Sequence, residues 1–167
     1  MILVALGANL PGSWGAPEAS FKAALEQFPT YGLHVEAISP FYRTRAVTPY
    51  AQPDFVNAVA RISTALAPSA LLAQLHRIEA AFGRVREQRW EERTLDLDIL
   101  DFDGLIQPEG AANQLILPHP RLSDRAFVLV PLADVAPNWC HPVTGVAVSK
   151  LLGALTTQDR EGVAPLL

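Results

Sequence analysis

The sequence predicts an α+β sandwich, in which helices pack on an antiparallel sheet. Its 167 residues, half of them hydrophobic, suit a single domain with its own core. Some stretches alternate apolar and polar residues, as strands do, and others repeat apolar residues at helical spacing. The predicted order is β-α-β-β-α-β with additions at the end, which is the order of a ferredoxin-like sandwich.

The predicted strands are short apolar stretches bounded by turn residues, and they cover residues 2–6, 34–44, 55–64, 95–102 and 115–117. The predicted helices carry an apolar stripe, and they cover residues 17–28, 68–83, 126–135 and 148–155. Residues 84–93 lack any periodicity and are predicted to form a loop. We expect one domain over residues 1–167, in which residues from about 156 onward form a loose tail.

Composition and charge exclude several classes of protein. A net charge of −4 argues against general binding of nucleic acid, because such binding normally needs a basic face. The only cysteine, Cys140, excludes an internal disulfide and fits a reducing compartment. The chain has no apolar run long enough to span a bilayer, and its first residues lack the positive charge of a signal peptide. We therefore expect a cytoplasmic protein that binds neither membranes nor nucleic acid.

The most informative segment is the acidic strand predicted over residues 95–102. Asp96 and Asp98 alternate with apolar residues, so their side chains point the same way, with Cα atoms about 6.5–7 Å apart. Two like charges at that spacing favour a cation between them, and Mg²⁺ is the common one. The alternative is the solvent-facing side of an edge strand. Leu100 and Phe102 weaken it, because regular alternation puts these apolar residues on the same face.

A cluster of arginines precedes the acidic strand, and it consists of Arg84, Arg86, Arg89 and Arg93. Guanidinium groups beside metal-binding carboxylates suit a phosphate-transfer site. The alternative is a solvated loop in which nearby glutamates pair with the arginines at little net energy. Trp90 in the same loop could stack on a base or close over a ligand, or it could pack back onto the domain.

Two further positions suggest a ligand cleft. Glu79 falls inside the apolar stripe of the second helix, so it lies either at the rim of the core or in a cleft. His76, one turn earlier, either shares that cleft or belongs to an ordinary helix flank. Phe55 and Asn57 share one face of a predicted strand, where an aromatic ring beside an amide suits a flat heterocycle. An asparagine at a strand edge is the alternative.

Taken together, these segments resemble the 6-hydroxymethyl-7,8-dihydropterin pyrophosphokinase family, which transfers pyrophosphate from ATP. The match spans roughly residues 2–137. The matching motifs are Leu6-Gly7-Ala8-Asn9-Leu10, Phe41-Tyr42-Arg43-Thr44, Gln52-Pro53-Asp54-Phe55-Val56-Asn57-Ala58, Arg77-Ile78-Glu79, Gly83-Arg84-Val85-Arg86, Arg93-Thr94-Leu95-Asp96-Leu97-Asp98-Ile99 and Pro118-His119-Pro120-Arg121.

The resemblance implies a site residue by residue. Asp96 and Asp98 would hold two Mg²⁺ ions that bridge the ATP phosphates, and Arg84 and Arg93 would steady the phosphates during transfer. The pterin-binding residues would be Thr44, Val47, Phe55, Asn57 and Phe127. The ATP-binding residues would be His76, Glu79, Arg84, Arg86, Trp90, Arg93, Ile99, His119 and Arg125. The nucleophile would be the substrate's own hydroxymethyl oxygen, and the partners would be these two small molecules. We also expect the protein to be a monomer.

Two other classes remain open. A glycosyltransferase with a D-x-D motif also uses paired acids for a metal and a nucleotide, but it generally needs a larger α/β nucleotide domain than this chain offers. A non-catalytic ferredoxin-like module could bind a ligand without turnover, with the acids as surface residues.

Overall fold

The computed structural model describes residues 1–45, 51–83, 94–110 and 114–166. Its strands are β1 (Ile2–Ala8), β2 (His34–Ile38), β3 (Tyr42–Thr44), β4 (Phe55–Ser63), β5 (Asp96–Phe102) and β6 (Val163–Pro165). Its α-helices are α1 (Pro17–Gln27), α2 (Pro68–Ala81), α3 (Ala126–Val135), α4 (Val148–Ala154) and α5 (Thr157–Glu161). Within the described ranges, no helix has both the length and the apolar character needed to cross a membrane.

The six strands form one antiparallel sheet in the order β5-β1-β4-β3-β6. Strand β2 also pairs with β4, along residues 60–63, whereas the short strand β3 pairs with residues 55–57. Strand β1 pairs with β4 along its whole length, and on its other side it pairs with β5. The register places Gly7 of β1 opposite both Asn57 of β4 and Asp96 of β5. Three strands therefore bring these residues side by side.

The helices cover both faces of the sheet, because successive side chains along a strand point to opposite faces. Helices α1 and α2 pack on one face, and its core includes Val4, Leu6, Phe21, Ala58, Leu75, Ile78 and Leu97. Helices α3 and α4 pack on the other face, and its core includes Leu3, Val59, Leu100, Leu129, Leu132 and Val148. The prediction of an α+β sandwich with helices on an antiparallel sheet is confirmed.

Two predicted strands differ from the structure. Residues 34–44 form two strands rather than one, and the break falls around Pro40, which has no N–H to donate to β4. Ser39 closes the gap, since its hydroxyl accepts a hydrogen bond from the N–H of Val59 over 3.0 Å. Residues 115–117 form no strand, and only an isolated bridge joins Gln107 to Leu117.

The prediction of a loose C-terminal tail is wrong for most of its length. Helix α5 begins after Thr156, whose hydroxyl accepts a hydrogen bond from the N–H of Asp159 over 3.1 Å. Strand β6 then pairs with β3, with Thr44 opposite Val163. The segment is held by main-chain pairing to β3. Such pairing does not need apolar alternation, so it leaves little trace in the local sequence.

Strand β5 contains a bulge. Val4 pairs with Ile99 but Leu3 pairs with Asp101, so one extra residue is inserted at Leu100. Leu100 stays on the face covered by α3, as alternation predicts, but Phe102 packs against the α1–α2 core on the other face. The expectation that Phe102 continues the face of the two acids is therefore wrong.

Candidate functional site

The acidic pair lies at the start of the edge strand β5, on the face that α3 and α4 partly cover. Asp96 and Asp98 are half-buried, whereas Leu97 and Ile99 between and after them are buried in the opposite core. Asp96 is opposite Gly7, and Asp98 is opposite Ala5. The alternation predicted from the sequence is confirmed, so both carboxylates project from the same side of the sheet.

Asn57 lies on the same face, one strand beyond Gly7. Its Nδ2 donates a 2.7 Å hydrogen bond to the Oγ1 of Thr44, which fixes the amide plane. A Cβ built on Gly7 would lie 3.4 Å from the Oδ1 of Asn57 and 4.0 Å from the Cβ of Asp96. The missing side chain of Gly7 therefore leaves a space that has the amide of Asn57 on one side and the Cβ of Asp96 on the other.

Two aromatic residues predicted for the site lie near this face. Phe55 begins β4 opposite Thr44, so it shares the face of Asn57 two residues later. Phe127 is in the first turn of α3 and packs partly against the core that α3 makes with the sheet. The guanidinium of Arg125 lies 5.5 Å from the centroid of the Phe127 ring, a cation–π distance.

Glu79 faces the interior. It is 1% exposed, and its Oε1 accepts a 2.8 Å hydrogen bond from the N–H of Leu97, the residue between the two acids. Glu79 lies neither at a rim nor in a cleft, because its carboxylate is buried against the main chain of the acidic strand at Leu97. His76, one turn earlier on α2, is half-buried.

His119 approaches the acidic strand from the segment before α3. Its main-chain N–H donates a 2.9 Å hydrogen bond to the carbonyl of Leu100 at the bulge. Burial and the charge of Arg125 lower the pKa of His119 to about 4, although the charge of Asp96 opposes that shift. Asp96, His119 and Arg125 are thus close enough to influence one another electrostatically.

One described position from the predicted set, Ile99, does not present its side chain on this face. The side chain of Ile99 is 3% exposed and lies in the α1–α2 core, so only its main chain could meet a nucleotide. The remaining predicted residues, which are Val47, Arg84, Arg86, Trp90 and Arg93, lie outside the described residues, as does the predicted loop that contains the arginines. The residues that flank this loop do meet, since the Oγ1 of Thr94 donates a 2.8 Å hydrogen bond to the carbonyl of Phe82.

The sequence interpretation missed two features of the site. The first predicted strand ended at residue 6, whereas Gly7 lies within β1 and leaves the space beside Asn57. A glycine inside a strand often marks a close approach of another group, and that signal was available. The interpretation also passed over Asp101, a buried carboxylate whose Oδ2 accepts a hydrogen bond from the indole of Trp139. An acid at the end of an apolar strand was the available signal.

The two acids of β5 fit a magnesium ion that arrives with phosphate groups. Mg²⁺ prefers oxygen ligands and is usually held by one or two carboxylates together with substrate phosphates and water. Asp96 and Asp98 supply two such carboxylates on one partly exposed face. Across the described ranges, no cluster of three or more acidic, histidine or cysteine side chains is placed to hold a metal. Two carboxylates on one partly exposed face suit a metal that is shared with the phosphates of a ligand.

Solved structures share this fold. One is the Plasmodium falciparum HPPK-DHPS wild type with STZ-DHP, to which the chain is 14% identical with a TM-score of 0.72. The alignment covers 96% of this chain and 44% of that structure's chain, so this chain spans less than half of its length. At that identity the likeness supports the fold alone.

Two relatives share a higher sequence identity with this chain. A protein from Haemophilus influenzae is 44% identical over 140 residues, which cover 83% of each chain. One from Pseudomonas aeruginosa is 44% identical over 154 residues, which cover 92% of this chain and 90% of that one. Both are named 2-amino-4-hydroxy-6-hydroxymethyldihydropteridine pyrophosphokinase. The family model for 7,8-dihydro-6-hydroxymethylpterin-pyrophosphokinase matches residues 3–137, and this chain therefore belongs to that family.

Proposed function

We propose that this chain transfers the pyrophosphate group of ATP to 6-hydroxymethyl-7,8-dihydropterin, a step in folate biosynthesis that yields AMP and the pterin pyrophosphate. The observation that carries the proposal is that Asn57 and Asp96 flank Gly7 on one sheet face. An amide suited to a heterocycle thereby stands beside a carboxylate suited to a metal–phosphate complex. The names of the sequence relatives support the same reaction.

Asn57 would recognise the edge of the pterin ring. Because one N–H of its amide is committed to Thr44, the Oδ1 and the second N–H are left to meet the donor and acceptor groups of a heterocycle. Phe55 and Phe127 would provide the apolar surfaces between which the ring is held, and Val47 would lie close to it. Thr44 would act through Asn57, because its hydroxyl fixes the orientation of that amide.

Asp96 and Asp98 would hold two Mg²⁺ ions together with the phosphates of ATP. Bound there, the ions would neutralise phosphate charge and favour an in-line approach. Arg84 and Arg93 would donate to the phosphates as negative charge moves to the leaving group. The nucleotide would also lie near five other residues, which are His76, Arg86, Trp90, His119 and Arg125. Glu79 and the main chain of Ile99 would also form part of the nucleotide site.

The reaction itself needs no nucleophile from the protein. The hydroxymethyl oxygen of the pterin forms a bond to the β-phosphorus of ATP, and the bond from that phosphorus to the oxygen bridging the α- and β-phosphates breaks. The electron pair of the broken bond leaves with AMP, and the hydroxyl proton is released. The chain's contribution is therefore to position two substrates and to stabilise charge.

We further propose that residues 1–167 act as one domain and as a monomer in the cytoplasm. A nucleotide-sugar transferase is disfavoured, because the sequence relatives and the family match indicate a pyrophosphokinase. A binding module without turnover remains an outcome of the test below.

The test is incubation of the protein with MgATP and 6-hydroxymethyl-7,8-dihydropterin, followed by chromatography of the nucleotide products. We expect AMP that depends on the pterin, and a loss of rate on the order of 10²–10³ in Asp96→Asn. Glu26→Gln is the control, since Glu26 is an exposed acid on α1, which packs on the opposite face of the sheet. ADP as the product would indicate phosphoryl transfer, and binding of MgATP without turnover would indicate a binding module. Transfer from a nucleotide sugar would revive the glycosyltransferase.

A further inference from the structure

Glu79 makes a buried contact with the main chain of the acidic strand. Its Oε1 accepts the hydrogen bond of the Leu97 N–H over 2.8 Å, and the Glu79 side chain is 1% exposed. Leu97 stands between the two proposed metal ligands, and its own side chain is buried in the α1–α2 core. The carboxylate of Glu79 therefore contacts the main chain of the strand between Asp96 and Asp98.

The contact supplies an acceptor for a main-chain N–H at the edge of the sheet. In the described sheet, β5 pairs on one side with β1 and lies at the edge on the other side. Among the described strands, none pairs with the main-chain N–H groups on that outer side, and a buried N–H without an acceptor is costly. Helix α2 runs beside this edge, and Glu79 gives Leu97 the acceptor that a neighbouring strand would otherwise provide.

A second contact joins the same two elements. The Oγ1 of Thr94 donates a 2.8 Å hydrogen bond to the carbonyl of Phe82, at the end of α2. The start of β5 is thus attached to α2 at Thr94 and again at Leu97, and Asp96 lies between these two attachments. The pair of contacts restrains both the position of the strand and its rotation about its own axis.

We propose that Glu79 is a positioning residue of the metal site, which fixes β5 so that the carboxylates of Asp96 and Asp98 are held ready for the metal–phosphate complex. This inference rests on the proposed function. Its physical basis is that ligands already in place need no reordering on binding, and groups that orient metal ligands typically change metal affinity by about 10–100-fold when lost. The role is assigned to the oxygen of Glu79 as a hydrogen-bond acceptor.

The experiment compares Glu79→Gln with Glu79→Met. Glutamine keeps an Oε1 that accepts from Leu97, whereas methionine has a similar length and no such acceptor. The affinity for Mn²⁺ is measured by calorimetry in the presence of a non-hydrolysable ATP analogue. We expect this affinity to fall about 10-fold or more in Glu79→Met. Glu79→Gln should bind Mn²⁺ within about 2-fold of the wild type, which is rescue by the conservative variant. In turnover, Glu79→Met should raise the KM for Mg²⁺ more than it lowers kcat.

Two further variants guard against a trivial loss of stability. Leu75→Ala removes a buried apolar side chain from the same helix, so it should lower the melting temperature without weakening Mn²⁺ binding. Thr94→Val removes the second attachment while keeping the side-chain shape, so it should weaken Mn²⁺ binding even if Glu79→Met does not fold.

Three results would overturn the inference. Equal impairment of Glu79→Gln and Glu79→Met would show that the charge of Glu79 matters and not the acceptor. Faster exchange of the Leu97 amide hydrogen in Glu79→Met with unchanged Mn²⁺ affinity would show a structural contact only, and would leave the proposed function intact. A wild-type protein that binds no Mn²⁺ with the nucleotide analogue would overturn the proposed function, and the positioning role with it.

Discussion

The indole Nε1 of Trp139 donates a 2.6 Å hydrogen bond to the Oδ2 of Asp101, a carboxylate that is only 3% exposed. The other oxygen, Oδ1, accepts the N–H of Gly104 over 2.9 Å. Asp101 sits at the bulge of β5, next to Leu100, whose carbonyl accepts the N–H of His119. The end of the acidic strand is therefore anchored to the segment after α3, while α2 holds its beginning.

The first prediction concerns this buried pair. Trp139→Phe keeps an aromatic ring but removes the donor, so one oxygen of a buried carboxylate loses its partner. We expect a loss of about 1–3 kcal/mol in the free energy of unfolding, measured by urea denaturation. If the two side chains are coupled, the double variant with Asp101→Leu should lose less than the sum of the two single variants. Simple additivity would show that the bond contributes nothing of its own.

The order of the strands and helices could be predicted because most elements carry a local signal. Apolar alternation in β5 and helical spacing in α2 report which residues are buried. The bulge at Leu100 carries no such signal, since alternation presumes a regular register, and it turned Phe102 to the other face. The pairing of β6 with β3 was also invisible, because it joins residues far apart in sequence by main-chain bonds.

In the site, too, residues with a local signal could be predicted and contacts between distant segments could not. Asp96 and Asn57 could each be chosen from their own strands, by an acidic pair and by an aromatic–amide pair. Their common neighbour Gly7 was overlooked, because only the register of β1 with both flanking strands places it between them. The backbone partner of Glu79 was likewise hidden, since it depends on where α2 lies beside the sheet edge.

The second prediction concerns the protonation of His119 in the metal-free protein. Burial, assisted by the charge of Arg125, lowers the pKa of His119 to about 4, from an ordinary value of about 6.5. The unfolded chain therefore binds more protons between these two pH values. The contribution of His119 to stability is complete above about pH 6.5 and is lost as the pH falls towards 4. NMR titration of the imidazole should show a neutral ring down to about pH 4.

Two variants test the causes with opposite signs. Arg125→Met removes a cation that disfavours the imidazolium, so the pKa of His119 should rise. Asp96→Asn removes an anion that favours the imidazolium, so the pKa of His119 should fall further. An imidazole that titrates near its ordinary pKa in the wild type would contradict the burial that the structure shows.

The third prediction concerns Tyr42, whose hydroxyl donates a 2.7 Å hydrogen bond from β3 to the Oδ2 of Asp134 on α3. Burial raises the pKa of Tyr42 to about 12, and the hydrogen bond and negative charge of Asp134 act in the same direction. The neutral phenol is thus favoured in the folded state. Its contribution to stability is complete below about pH 10, the ordinary pKa, and is lost as the pH rises through 12.

The measurement is an ultraviolet titration of the tyrosinate band, in which Tyr42→Phe identifies the step that belongs to this residue. Asp134→Asn should move that step to lower pH, because it removes the charge that opposes ionisation. A step that stays in place would show that burial alone sets the pKa of Tyr42.

The last prediction uses the space at Gly7. The Cβ of Gly7→Ala would lie 3.4 Å from the Oδ1 of Asn57 and 4.0 Å from the Cβ of Asp96, which are ordinary contact distances. The variant should therefore fold with little change in melting temperature. Its methyl group would nevertheless occupy the space that the proposed function gives to the substrates. We expect the KM for the pterin to rise about 10-fold, which corresponds to about 1.4 kcal/mol of lost binding.

Ala5→Gly is the matched control, since Ala5 lies two residues earlier on the same face of β1 and faces Asp98. That change removes a methyl group and should cost stability without weakening pterin binding, because it adds nothing to the space beside Asn57. If Gly7→Ala left the KM for the pterin unchanged while turnover continued, the substrate would have to approach Asn57 from another side. If Gly7→Ala instead unfolded the protein, the space would be needed for packing and would carry no argument for a substrate.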